Sequence, residues 1–219
     1  MGSITRSLGN NITTGGVILP AGITNSSVSA VTSSANASAG TLVLLSTQTA
    51  SSSATISFTT GLNSTYDSYE FHFINIKPAT DRVDFQFNAS TDGGTNYNVT
   101  KTSNVFYSAH NETDTVTSLS YDTNIHLNAS TAFQTINTNQ GNASDECCTG
   151  VLQLFNLSST SYVKHFIFIG NHYANDDYMV EDFCAGYLNT TSAINAIQFK
   201  MSSGNIADGI FKLYGVKKS

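Results

Sequence analysis

The sequence predicts an all-β protein, an antiparallel two-sheet β-sandwich that is jelly-roll-like in topology and preceded by an extended N-terminal arm. Three observations carry this expectation. Between Tyr66 and Gly94 two runs alternate strictly: Tyr69, Phe71 and Phe73 share one face, and Val83, Phe85 and Phe87 share another. A period of two marks strands buried on one side, because successive side chains point to opposite faces of a sheet. Second, turn residues recur at short intervals, as at Thr60-Gly61, Asp92-Gly93-Gly94, Gly141-Asn142, Gly170-Asn171, Ser203-Gly204-Asn205 and Asp208-Gly209. Third, only 11% of residues are charged while Ser, Thr, Asn, Tyr and Phe are abundant, a composition suited to pleated sheets.

Taken in order, residues 1–40 form a segment apart. Their only charged side chain is Arg6, and Gly15-Gly16, Pro20 and Gly22 interrupt any long element. Ile4, Leu8, Ile12, Val17, Ile18, Leu19 and Ile23, followed by Val28 and Val31, are more aliphatics than a solvated linker needs. The favoured expectation is an assembly arm that buries these side chains against another subunit; a solvated tail is the alternative.

Residues 41–219 form the β domain. Strands are expected at Leu42–Gln48, Ala54–Thr59, Tyr69–Lys77, Val83–Ala89, Val105–His110, Thr115–Tyr121 and Val151–Asn156. Further strands are expected at Val163–Ile169, Tyr178–Tyr187, Ile194–Met201 and Ile210–Val216. The two runs of Tyr66–Gly94 read as a hairpin pair around a Lys77-Pro78 corner. Ala132–Asn139 and Asn175–Asp182 read as short helical or irregular insertions, and the whole as a sandwich of about eight to ten strands. No repeat of solenoid or propeller length is present.

Few residues suggest chemistry. Ser90, Asp92, Gly94 and Tyr97 fit the pattern Ser-x-Asp-x-Gly-x-x-aromatic, found in sialidases and in unrelated β proteins, and serve a structural hairpin: Asp caps backbone N–H groups and Gly takes positive φ. A sialidase carries several copies and an arginine cluster, whereas this chain has one copy and two arginines. No Gly-x-Ser-x-Gly elbow and no zinc-spaced Cys/His cluster occurs. His72, His110, His126, His165 and His172 fall mostly within strand patterns, so no catalytic residues are assigned. Cys184 reads as a buried thiol. No metal or other cofactor is expected.

Between Tyr107 and Tyr187 nine acids face a single base, Lys164, which suggests an acidic rim. Within it Tyr173, Asp176, Asp177 and Glu181 are the candidate ligand rim, for a host-surface glycan or for an ion; a solvated loop is the plainer alternative. A net charge of −6 with scattered bases argues against nucleic-acid binding, and no apolar run reaches the length of a membrane span. Eleven Asn-x-Ser/Thr sites read chiefly as turn composition, with glycosylation as the alternative.

Three stretches, SITRSLGNNITTGGVILPAGI, STQTASSSATISFTTGLNSTYDSYEFHFINI with the STDGG turn after it, and NTTSAINAIQFKMSSGNIADGIFKLYGVK, resemble small virion proteins of marine tailed phages, cyanophages included. The resemblance spans most of the chain but rests on phrases rather than on a catalytic motif. It implies a non-enzymatic virion component, a head decoration or short fibre subunit. Its β-sandwich would be displayed on the particle surface, attached by the arm to other virion structural proteins, and assembled as a homotrimer. A receptor- or glycan-binding fibre module and a self-assembling filament subunit completed by a donated arm are the alternatives.

Overall fold

The computed structural model describes residues 41–217, and the arm at 1–40 lies outside the described residues. Twelve strands follow in chain order, with no helix among the described residues: β1 (Leu42–Ser53), β2 (Ile56–Phe58), β3 (Ser68–Pro78), β4 (Val83–Ser90), β5 (Lys101–Asn111), β6 (Thr117–Tyr121), β7 (Gln134–Gln140), β8 (Cys148–Phe155), β9 (Lys164–Ala174), β10 (Tyr178–Leu188), β11 (Ala196–Met201) and β12 (Ile206–Val216). The all-β expectation holds, and the strand count exceeds the expected eight to ten.

The two expected insertions are corrected. Most of Ala132–Asn139 belongs to β7, and Asn175–Asp182 is the β9–β10 turn running straight into β10. In β7 four of the five buried positions are polar, Gln134, Thr135, Asn137 and Gln140 around Ile136, so hydropathy shows no strand there.

The strands form one antiparallel sheet in the order β1-β12-β3-β8-β9-β7-β4-β11-β2, and β10, β5 and β6 lead off β9 in turn. The path nearly closes as a barrel. Its two ends, β1 and β2, are consecutive in the chain, and Gln48 Nε2 donates to the Ser57 carbonyl at 2.8 Å between them. Strand β9 pairs along its length with β8 and β10, but meets β7 only at Gln140–Ala174.

The expected β3–β4 hairpin is also corrected. β3 pairs with β12 and β8, and β4 with β11 and β7. The two strands instead face each other across the interior, with the Phe73 and Phe85 rings edge-to-face at 5.2 Å. Both carry a full apolar face, and facing rather than pairing lets each cover the other. Phe58, Phe71, Phe199 and Phe211 complete this aromatic core, in which almost every ring is fully buried. Edge-to-face contacts at these separations add to the area term.

Two lysines enter the interior with partners. Lys164 Nζ donates to three carbonyls, of Ser159, Tyr162 and Thr190, and so ties the β8–β9 and β10–β11 loops together. Lys101 is fully buried on β5, where Nζ donates to Asn88 Oδ1 and to the Val99 carbonyl, each at 2.7 Å. Burial pushes its ammonium down to about 7.

Lysine in an unfolded chain titrates near 10.4. Between those values the unfolded state binds more protons than the folded one, so stability rises with pH through this window, by at most about 1.4 kcal/mol per unit. Urea midpoints are therefore expected to climb from neutral pH towards pH ~9, and Lys101→Met to flatten the climb. An unchanged slope in the variant would assign the effect elsewhere.

Candidate functional site

The Ser90–Tyr97 segment closes on itself. Ser90 Oγ donates to Asp92 Oδ1 at 2.6 Å and accepts the Gly94 N–H at 3.0 Å, while Asp92 Oδ1 also accepts the Asn96 N–H at 2.9 Å. These bonds hold the Asp92 carboxyl down at about 2. Gly94 sits at φ 91°, and the Tyr97 hydroxyl lies where a side chain on Gly94 would stand. The flanking strands β4 and β5 are not partners of each other, so this turn redirects the chain from one part of the sheet to another. Its Asp92 carboxylate is exposed, but both oxygens are engaged by Ser90 and Asn96 within the turn.

The four candidate rim residues do not converge. At the β9–β10 turn, Tyr173 donates its hydroxyl to Asp177 Oδ1 at 3.0 Å, and that bond pushes the phenol up to about 12. Asp176 turns away to Arg82 Nη2 at 2.6 Å. Glu181 stands farther along β10, beside Asn171 and Ser108 on the neighbouring strands. Tyr173 and Asp177 serve the turn, Asp176 pins it to the β3–β4 connection, and Glu181 lines a different depression with His72 and Thr149.

Tyr173 does line a cleft of about 400 Å3, with Asn75, His110, Glu112, Cys147 and Met179. The cleft opens where β3 loses register with β8 and β12, at Asn75, whose φ is +51°. Bulges re-aim side chains in this way beside many sites.

Beneath it lies a group that alternation alone understates. His172 on β9 and Asp182 on β10 both point inward and are almost completely buried. Asp182 Oδ2 lies 3.2 Å from His172 Nδ1 and accepts the Asn137 amide N–H at 2.9 Å. The legible signal was phase: His172 follows Phe166, Phe168 and Gly170 in step, and Asp182 precedes Cys184, so both occupy the apolar register of their strands. Gly170 lies directly opposite Asp182, and its missing Cβ leaves room for the Phe168 ring.

Cys148 is the cross-strand neighbour of His172, which sets Asp182, His172 and Cys148 on one inward face of three adjacent strands. Activation of a thiol needs a depressed pKa and a hydrogen bond to the imidazole. Burial instead pushes the Cys148 thiol up, its polar neighbour is Gln140, and His172 Nε2 has no hydrogen-bond partner. The arrangement organises the interior rather than a nucleophile. Among the described residues no three His, Cys, Asp or Glu side chains converge on a metal position.

The outer face of the same strands carries an apolar row. Register aligns Val151 on β8, Ile169 on β9, Phe183 on β10, Phe106 on β5 and Tyr121 on β6 into one row. Phe106 and Phe183 stack at 4.7 Å with their planes 5° apart, while Ile169 is 47% exposed and Tyr121 50%. Ile167 and Leu119 widen the patch to either side, and Leu119 is 75% exposed. The chain matches no protein-family model, no curated protein and no solved structure.

Proposed function

We propose that this chain is a non-enzymatic structural protein of a phage particle, exposed on the virion surface as a head decoration or short fibre subunit and attached by residues 1–40. One observation carries the structural part of this reading. The β body carries on its outer face the apolar row from Val151 to Tyr121, which suits contact with other protein surfaces. The virion part is supported by the resemblance of the three stretches, which also motivates a homotrimer and attachment to other virion proteins. For the finer fold we favour a two-sheet, jelly-roll-like sandwich. The single Gln140–Ala174 pair divides the strands into a run from β1 through β12, β3, β8, β9, β10 and β5 to β6, and a second run of β7, β4, β11 and β2. Jelly rolls recur in viral capsid domains.

Deleting residues 1–40 is expected to abolish incorporation into particles while leaving a soluble β domain, measured by co-sedimentation with particles and by circular dichroism. Particles that still incorporate the truncated chain would overturn the anchoring role.

A further inference from the structure

We infer that two copies of this chain associate through β6, edge to edge and antiparallel, about a twofold axis at Leu119. The inference does not depend on the virion reading, and its twofold pair is an alternative to the homotrimer which that reading motivates.

β6 pairs only with β5. The bonds from Asp122 N to the Val105 carbonyl (2.9 Å) and from Asn111 N to the Val116 carbonyl (3.3 Å) continue the same register at its two ends. They fix which backbone groups face which way. In an antiparallel ladder, hydrogen-bonded and non-bonded pairs alternate. Residues 116, 118, 120 and 122 therefore aim their N–H and C=O at β5, and Thr117, Leu119 and Tyr121 aim theirs at the open side. No hydrogen bond among the described residues engages those outward groups.

Sheet edges are normally blunted by charge, proline or a bulge. Thr117-Ser118-Leu119-Ser120-Tyr121 has no charge and no proline, and its register with β5 is unbroken. All five residues are exposed.

The strand is also complementary to itself. An axis at Leu119 sets Leu119 against its own copy and Thr117 against Tyr121. These are the residues whose backbone groups are free, so each pair can exchange both N–H···O bonds. Their side chains share the outward face, where an aromatic opposite a β-branched residue is a favourable cross-strand pair. Ser118 meets Ser120 on the other face. Extending the register, Asp122 falls opposite Val116 and Asp114 opposite Asn124, so no two acids meet. Across the axis the row that ends at Tyr121 would meet Thr117 and then His110 of the second copy. Each side presents the same patch, as an isologous contact requires.

The test is register-specific crosslinking of the full chain in a Cys147→Ser background. Cys148 and Cys184 are buried, so an introduced thiol is the accessible one. Leu119→Cys is expected to give mostly disulfide-linked dimer under mild oxidation, because a directly opposed pair meets the Cα separation a disulfide needs. Ser118→Cys and Ser120→Cys, each two residues out of step with itself, should stay monomeric on the gel. Mixed Thr117→Cys and Tyr121→Cys chains should crosslink to each other. In light scattering, Leu119→Lys should lose the twofold mass while keeping its circular dichroism. Equal crosslinking by Leu119→Cys and Ser118→Cys, or identical masses for the parent chain and Leu119→Lys, would overturn the proposal.

Discussion

Phe199→Ala is expected to cost about 3–5 kcal/mol of folding stability, the range for emptying a large aromatic site in a close-packed core. Phe199 sits on β11, fully buried, with Phe58, Phe71, Phe73, Phe85 and Phe211 all within 6.3 Å between ring centroids. These rings come from five different strands, so no single backbone shift collapses the cavity. The matching loss of thermal stability is roughly 10 °C for a domain of this size. Phe106→Ala is the contrast. Its ring is 40% exposed and touches Phe183 on the outer face, so a cost of about 1 kcal/mol or less is expected. Urea unfolding followed by tyrosine fluorescence measures both. Similar costs for the two would mean that the aromatic core is not the centre of cooperativity.

The contrast between these two phenylalanines also marks how far the sequence is legible. Alternation places Phe71, Phe85, Phe106 and Phe183 in strands, because a period of two needs no knowledge of partners. It does not say which strands pair. β3 and β4 each satisfy the pattern as well by facing across a core as by forming a hairpin, and the shared Phe73–Phe85 contact favours facing. β7 was illegible for another reason. Gln134 Nε2 donates to the Ile125 carbonyl, Gln86 Nε2 to Thr135 Oγ1, and Asn137 to Asp182, so buried amides do the work of aliphatics there. Hydropathy counts such residues as surface, although a satisfied polar group is an acceptable interior one.

The candidate site shows the same limit. Tyr173, Asp176, Asp177 and Glu181 are close in sequence and share a sign of charge, which suggests a common rim. The turn at Asp177, with φ +61°, and the strand pleat after it send them to different places. Of the rim candidates Tyr173 lines the cleft, whereas Asn75, His110 and Cys147 reach it only through the β3 bulge and the cross-strand register, neither of which has a local signature.

The second large effect is expected at Asp182. Removing one member of a buried hydrogen-bonded pair leaves the other unsatisfied, at a cost of about 1–3 kcal/mol and more where the group is charged. Asp182→Ala takes the carboxylate from both His172 Nδ1 and the Asn137 amide. His172 Nε2 and Asn137 Oδ1 already lack partners, and what remains to the two residues is the long contact between Asn137 Nδ2 and His172 Nδ1 at 3.4 Å. Asp182→Asn keeps the shape and one acceptor oxygen and should cost less. The decisive comparison is a double replacement, Asp182→Leu with His172→Leu, which removes both polar groups and fills their volume. Such exchanges are often close to neutral. The double variant is therefore expected to be more stable than Asp182→Ala alone, a strong non-additivity readable from urea midpoints at constant m-value. Additive losses would show that Asp182 and His172 act separately. Coupling would identify the pair as a unit that fixes β7, β9 and β10 together where the sheet divides, directly beneath the cleft that Tyr173 and Cys147 line.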